Sequence, residues 1–145
     1  MKSKIILSIL VASVFFACNK DKKAMKQIDK NIVEGTWRIS SFIDSGDDET
    51  YEYSNYTFTF SDNGTVNATN GSSTISGSWN TSNSSSNDDS SSDLHFNLNF
   101  SVDDSHPFDD LIDDWDVTSQ SESKLELKDV SGGNGGTDIL IFVKN

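Results

Sequence analysis

The chain has 145 residues, a formal net charge of −12 and an apolar content of 34%. So negative a charge argues against nucleic acid as a partner, because phosphates would be repelled. A single cysteine, Cys18, excludes an intramolecular disulfide, so stability must come from one modest hydrophobic core.

The first residues predict a secretory signal peptide over residues 1–17. Lys2 and Lys4 precede an apolar run from Ile5 to Ala17, which is shorter than the ~20 residues that a spanning helix needs. A small residue before a cysteine at the end of such a run resembles the bacterial lipoprotein signal. This resemblance implies cleavage before Cys18 and attachment of a diacylglyceryl group to its thiol. The alternative is an ordinary signal peptide with an incidental cysteine.

Residues 18–33 are polar and rich in lysine, and we interpret them as the lipidated cysteine followed by a tether, helical from Ala24 to Val33. Without the signal peptide, the chain has 9 basic and 23 acidic residues. This negative charge disfavours flat docking on anionic lipid, so we expect the acyl chains to be the main membrane contact. We expect an outer-membrane or other cell-envelope location. No acidic run follows Cys18, so a periplasm-facing position is the default and a surface-exposed one stays open.

Residues 34–145 form one β domain in this interpretation, because apolar and polar residues alternate with the period of strands that have one buried face. The clearest case is Leu94, Phe96, Leu98 and Phe100 against His95, Asn97 and Asn99. About eight such segments follow one another through mostly short links. We expect an antiparallel up-and-down meander closed into a barrel, with a two-sheet sandwich as the alternative. The predicted strands are GTWRISSFID, NYTFTF, TVNAT, STISGSWN, DLHFNLNFS, WDVTSQS, LELKDV and DILIFVKN.

Two features interrupt this pattern. The segment PFDDLIDD, which begins at Pro107, predicts one short helix, because proline is tolerated in a first turn and acids there are favoured by the helix dipole. The last strand is apolar on both faces, so we expect its outer side to be covered by that helix or by the N-terminal segment.

Short motifs in this domain resemble the lipocalins. Gly35-Thr36-Trp37 is similar to the lipocalin G-x-W motif, in which the tryptophan closes one end of an eight-stranded barrel. FTFSDNGT, followed by Gly77-Ser78-Trp79, is similar to small lipocalin-like lipoproteins of Bacteroidota-type envelopes. The chain departs from true lipocalins in lacking an arginine near the last strand that packs over the tryptophan, since only Lys144 is available there.

The resemblance implies a barrel with an interior that could hold a small molecule. Our first functional hypothesis is a non-catalytic binding protein for a small apolar or amphipathic ligand. Aromatic side chains would line that site: Trp37, Tyr56, Phe58, Trp79, Phe96 and Trp115. The second hypothesis is a structural or interaction lipoprotein with a solid core that docks on another envelope protein. Interior small residues, Ala68 and Gly77, favour a cavity only if large neighbours leave their space free.

Catalysis and cofactor binding are not expected, because neither histidine is linked by a motif to a serine or carboxylate. The most concentrated acids, which include Asp103, Asp104, Asp109 and Asp110, are weak candidates for a Ca²⁺ site, since they lack the spacing of a calcium loop. Tyr51 and Tyr53 lie on an acidic stretch, where we expect them to be exposed and able to contact a partner.

Overall fold

The computed structural model describes residues 14–84, 94–130 and 136–145, with side chains from residue 20 onward. A helix, α1 (Val14–Ile32), precedes the β domain. The described strands are β1 (Trp37–Asp44), β2 (Asp47–Asp48), β3 (Thr57–Phe60), β4 (Thr65–Thr69), β5 (Thr74–Asn83), β6 (Leu94–Phe100), β7 (Asp113–Gln120), β8 (Lys124–Asp129) and β9 (Asp138–Lys144).

Eight of these strands form a closed antiparallel barrel, which confirms the predicted meander over the sandwich. Each strand pairs with the next, apart from β2, which forms a two-residue hairpin with the end of β1. The first and last strands close the ring over a register that runs from Trp37 opposite Lys144 to Ile43 opposite Ile139. Closure leaves the main sheet without a free edge.

The interior is filled by the alternating apolar residues that the sequence marks. In β6 the side chains of Leu94, Phe96, Leu98 and Phe100 are buried, while His95, Asn97 and Asn99 lie on the outer side. Successive residues of a strand point to opposite faces of the sheet, so the other strands also send side chains inward. β5 and β7 do so less completely, and each buries a single residue, Trp79 and Trp115.

Helix α1 covers one end of the barrel with an apolar stripe. Ile28 and Ile32 are almost completely buried, and Ala24, Met25 and Val33 pack beside them. The helix predicted within the tether is thus the second half of α1. Since this half lies against the barrel, the part of the tether nearest the domain contributes to its core.

The opposite end is closed by two short 3₁₀ helices, Thr50–Tyr53 and Pro107–Leu111. The second is the helix predicted from Pro107, but it stops before Ile112, where the backbone becomes extended, and Asp113 already belongs to β7. Its buried residues, Phe108 and Leu111, reach into this end of the barrel.

The outer side of β9 is not covered in the way that the sequence suggested. The 3₁₀ helix at Pro107 packs on β6, and α1 packs on β5. Ile139 is 38% exposed, and Ile141 and Val143 are partly exposed. An apolar row therefore stays open to solvent in the described part of the chain.

Candidate functional site

The interior holds most of the residues predicted to line a ligand site. Trp37, Phe58, Trp79, Phe96 and Trp115 are all at most 7% exposed. The sixth, Tyr56, is partly buried and packs on the Phe108 ring at a centroid distance of 4.9 Å. These aromatic residues are parts of one continuous core.

Aromatic rings touch one another through the middle of the barrel. The Phe142 ring lies edge-on to Phe58 at 5.3 Å and to Phe60 at 5.6 Å between centroids. Phe60 contacts Phe96 at 5.9 Å, and Phe96 stacks on Trp79 at 5.7 Å. Such spacings are the favourable edge-to-face and offset arrangements of packed aromatic pairs, so the rings leave little free space.

The cavity that reaches the core beneath α1 is very small. It has a volume of about 10 Å³ and lies between α1 and Trp37, Gln120 and Leu125. That is roughly the space of one water molecule, far below the ~300 Å³ at which small-ligand pockets begin. Gly77 does not open a larger space, because a Cβ built there would lie 2.6 Å from Cδ1 of Phe100.

The end of the barrel covered by α1 is organised around Trp37. The indole Nε1 donates a hydrogen bond of 2.8 Å to the Ile32 carbonyl oxygen at the end of the helix. Lys144 places its Nζ 5.3 Å from the indole ring centroid and 3.9 Å from a carboxylate oxygen of Glu34. Lys144 thus lies over the tryptophan, where the lipocalin pattern has an arginine.

The other end carries a concentration of carboxylates, which we call the acidic end: Asp44, Asp47, Asp48, Glu49, Glu52, Asp103, Asp104, Asp109, Asp110 and Asp138. Burial, reinforced by the nearby Asp44 and Asp109 carboxylates, raises the pKa of Asp110. Burial and the Glu52 carboxylate likewise raise the pKa of Glu49. The raised pKa values reflect burial together with repulsion between neighbouring carboxylates at this end of the barrel.

The acids proposed as weak calcium ligands do not converge on one point. Asp109 and Asp110 lie in the 3₁₀ helix, whereas Asp103 and Asp104 lie in the loop before it. Among the described residues, no group of three or more His, Cys, Asp or Glu side chains has a geometry that could hold a metal ion.

The two tyrosines of the acidic end have different environments. Tyr51 is 69% exposed, as predicted. Tyr53 is fully buried, contrary to the expectation, and its hydroxyl donates a 2.6 Å hydrogen bond to the Pro107 carbonyl oxygen. Burial raises the pKa of Tyr53, so this hydroxyl stays protonated and acts as a donor. The residue joins the two 3₁₀ helices, which lie far apart in the sequence.

A serine, a histidine and an aspartate meet on the outer face of β5, β6 and β7, an arrangement that the sequence did not indicate. His95 Nε2 lies 3.0 Å from Ser84 Oγ, and His95 Nδ1 lies 3.1 Å from an Asp116 carboxylate oxygen. The second contact is close but is not a hydrogen bond, since Nδ1 has no hydrogen-bond partner in the described residues. The strand register creates this cluster by placing His95 opposite Asp116.

The larger depressions lie on the outside of the barrel. One of about 380 Å³ is bordered by Asp29, Asp62 and Trp79, and one of about 360 Å³ by Asn97, Asn99 and Asp113. Both are open grooves lined mainly by polar residue types, and they share Asn80. The free surface that this protein offers to another molecule is therefore external.

Comparison with known proteins supports the fold. No family model matches the chain, and neither does any curated protein. A solved structure of a DUF4847 family protein from Bacteroides vulgatus is similar, with a TM-score of 0.50 and 16% identity. The match covers 81% of this chain and 97% of that one. At this identity the likeness shows a shared barrel fold.

The predicted lipidation site lies at the margin of the described structure. The backbone of Cys18 belongs to α1, but its side chain and the leader residues 1–13 are outside the described residues. No helix in the described part of the chain is long and apolar enough to cross a membrane.

Proposed function

We propose that this protein is a lipid-anchored envelope lipoprotein whose barrel is a solid, non-catalytic scaffold that docks on another envelope protein. The packed interior is the observation that supports docking over the carriage of a small ligand. Phe58, Phe60 and Phe96 occupy the centre of the barrel, and the cavity beside the core measures about 10 Å³. A carrier would need roughly thirty times that volume.

The anchor in this proposal is Cys18. Its position after the apolar run from Ile5 to Ala17 supports lipidation, and each buried methylene of the acyl chains would contribute ~0.8 kcal/mol. The barrel would then stand in the periplasm, held at the membrane by the end that α1 covers.

A non-catalytic role is proposed despite the cluster of Ser84, His95 and Asp116. A nucleophilic serine needs a histidine that is well oriented by the carboxylate, together with donors aimed at the developing oxyanion. Here the Nδ1 contact is not a hydrogen bond, and neither open groove is bordered by Ser84. We interpret His95 as a link between three strands.

Native mass spectrometry of the full chain, extracted from membranes in mild detergent, tests the proposal. We expect covalent acyl mass that persists on denaturation and is absent from a Cys18→Ser variant. We also expect a complex with a second protein, and no small-molecule adduct after incubation with oleate or haem. A stoichiometric non-covalent adduct of either probe, lost on denaturation, would contradict the scaffold proposal and favour a carrier of small ligands.

A further inference from the structure

The positive charges of the β domain are confined to neighbouring strands. After Gly35 the sequence contains four cationic residues, Arg38, Lys124, Lys128 and Lys144, and all of them lie on β1, β8 or β9. Strands β3 to β7 contain neither lysine nor arginine. In so acidic a protein, this grouping makes one side of the barrel electrostatically different from the rest.

These cations border the exposed apolar row of β9. The register places Val143 between Lys124 on β8 and Arg38 on β1, and Ile139 between Lys128 and Ile43. We call this surface the apolar-basic wall, formed by Arg38, Lys124, Lys128, Ile139, Ile141 and Val143. Val143 thus has a cationic residue on both neighbouring strands and Ile139 has one, while Ile141 lies between Ser41 and Glu126. Neighbouring strands are about 4.8 Å apart, so these residues form one continuous surface.

Part of the wall's charge is free to meet a partner. Lys124 forms an ion pair with Glu126 on its own strand. Arg38 and Lys128 form no ion pair within the described residues, although the register places Lys128 opposite Asp116 of β7. Lys144 is turned away from the wall and lies over Trp37.

We propose that the apolar-basic wall is the docking surface of this lipoprotein for a protein partner that presents apolar side chains bordered by carboxylates. The inference rests on the proposed function and names the surface and the chemistry of its partner. Desolvating Ile139, Ile141 and Val143 would supply apolar contact, while Arg38 and Lys128 would select for acidic groups.

Other occupants fit the charges less well. Two copies joined wall to wall would oppose basic residues to basic residues. An extended anionic bilayer would be repelled by the net charge of the molecule, in which acids outnumber bases by more than two to one. A protein partner can present its carboxylates at the wall alone.

Site-specific photocross-linking in intact cells that produce the full chain tests this surface. Ile141 is replaced by p-benzoylphenylalanine, and the same replacement is made at Ser78 on β5, which lies across the closed sheet, and at Tyr51 at the acidic end. We expect position 141 to cross-link to one partner protein, and position 78 to give no adduct. The cross-linked peptide of the partner should contain apolar residues flanked by Asp or Glu.

Charge reversal provides the matched control. The pair Arg38→Glu and Lys128→Glu should reduce the adduct from position 141 about tenfold, because each rim charge contributes to steering and contact. The pair Lys20→Glu and Lys22→Glu changes the net charge equally on α1 and should leave the adduct unchanged. Circular dichroism melting establishes that both variants are folded.

The remaining outcomes overturn the inference. These are an adduct with phospholipid, with a second copy of this chain or with a peptide lacking acids, and an adduct insensitive to charge reversal at the wall. An adduct from position 51 or 78 alone would reject the wall but keep the proposed docking function. No protein adduct from any of the three positions would reject both.

Discussion

At the scale of single residues, Phe96 forms a mutually contacting trio of core rings with Phe60 and Trp79. Its ring contacts Phe60 on one side and stacks on Trp79 on the other, and it is fully buried. Truncation to alanine would leave a cavity that rigid barrel strands can close only in part. We expect Phe96→Ala to lower the free energy of unfolding by about 3–5 kcal/mol in urea titrations.

The control for this variant lies on the outer side of the same strand. Asn99→Ala removes an exposed side chain and should change the free energy of unfolding by less than about 0.5 kcal/mol. A Phe96→Ala protein as stable as the control would mean that the interior is loosely packed. Such an interior would have room for a small ligand.

Gly77 is required by close approach between strands. It lies opposite Phe100 in the β5–β6 register, and a Cβ at this position would contact the Phe100 ring at 2.6 Å and collide with the Asn99 carbonyl oxygen. We expect Gly77→Ala to destabilise the barrel by about 1–3 kcal/mol through overpacking. Ser78→Ala, an exposed change on the next residue, should be nearly neutral, and thermal melts of the two variants give the comparison.

A stabilised Gly77→Ala protein would contradict this packing. It would show that space exists beside Gly77. An interior cavity was expected from the sequence only if such space were free. The outcome at this one residue therefore bears on the choice between carrier and scaffold.

At the scale of elements, α1 covers one end of the barrel, and Ile28 and Ile32 are its buried contacts. We expect Ile28→Ala to cost about 2–5 kcal/mol of unfolding free energy, as for other large core residues. Lys26→Ala, on the exposed side of the same helix, is the control and should be within about 0.5 kcal/mol of wild type. Equal stability of the two variants in urea titrations would mean that α1 is only a tether.

Most of the barrel strands could be predicted because they alternate apolar and polar residues, although β9 is apolar on both faces. The buried side of α1 was harder to recognise, since five lysines dominate its composition and only Ile28 and Ile32 make the principal core contacts. The burial of Tyr53 depends on Pro107, which is remote in the sequence. No local pattern could have indicated that contact.

Strand register explains the other features that the sequence did not reveal. Lys144 meets Trp37 because the last strand pairs with the first, and His95 meets Asp116 because β6 pairs with β7. The basic residues gather on one wall for the same reason, since β8, β9 and β1 become neighbours only on closure. The predicted order of strands indicates which strands become neighbours, but the residue-level register is needed to bring these side chains together.

At the scale of the whole molecule, charge is separated along and around the barrel. Lysine-rich α1 covers one end, carboxylates surround the other, and the apolar-basic wall occupies one side. Mutual repulsion at the acidic end makes part of the stability dependent on protonation. The pH dependence of stability can be tested at Asp113, at the start of β7, because its pKa is strongly raised.

Burial raises the pKa of Asp113 to about 6, helped by the side chain of Asp114 and the charge of Asp129, while the Asp114 backbone N–H opposes the rise. The unfolded carboxyl titrates near its ordinary value of about 3.9, so between about pH 4 and pH 6 the folded state holds the proton more tightly. Stability from this group is therefore present at low pH and is lost as the pH rises through about 6.

Asp113→Asn removes this titration while keeping an oxygen that can accept the 2.7 Å hydrogen bond from the Asp114 backbone N–H. We expect the variant to match wild type near pH 4, to be more stable near pH 7.5, and to lose less stability between the two, as measured by urea midpoints. Asp104→Asn removes the same formal charge from an exposed loop position and controls for net charge. If both variants kept the wild-type slope, Asp113 would not be the titrating group, and the pH dependence would belong to the carboxylates of the acidic end.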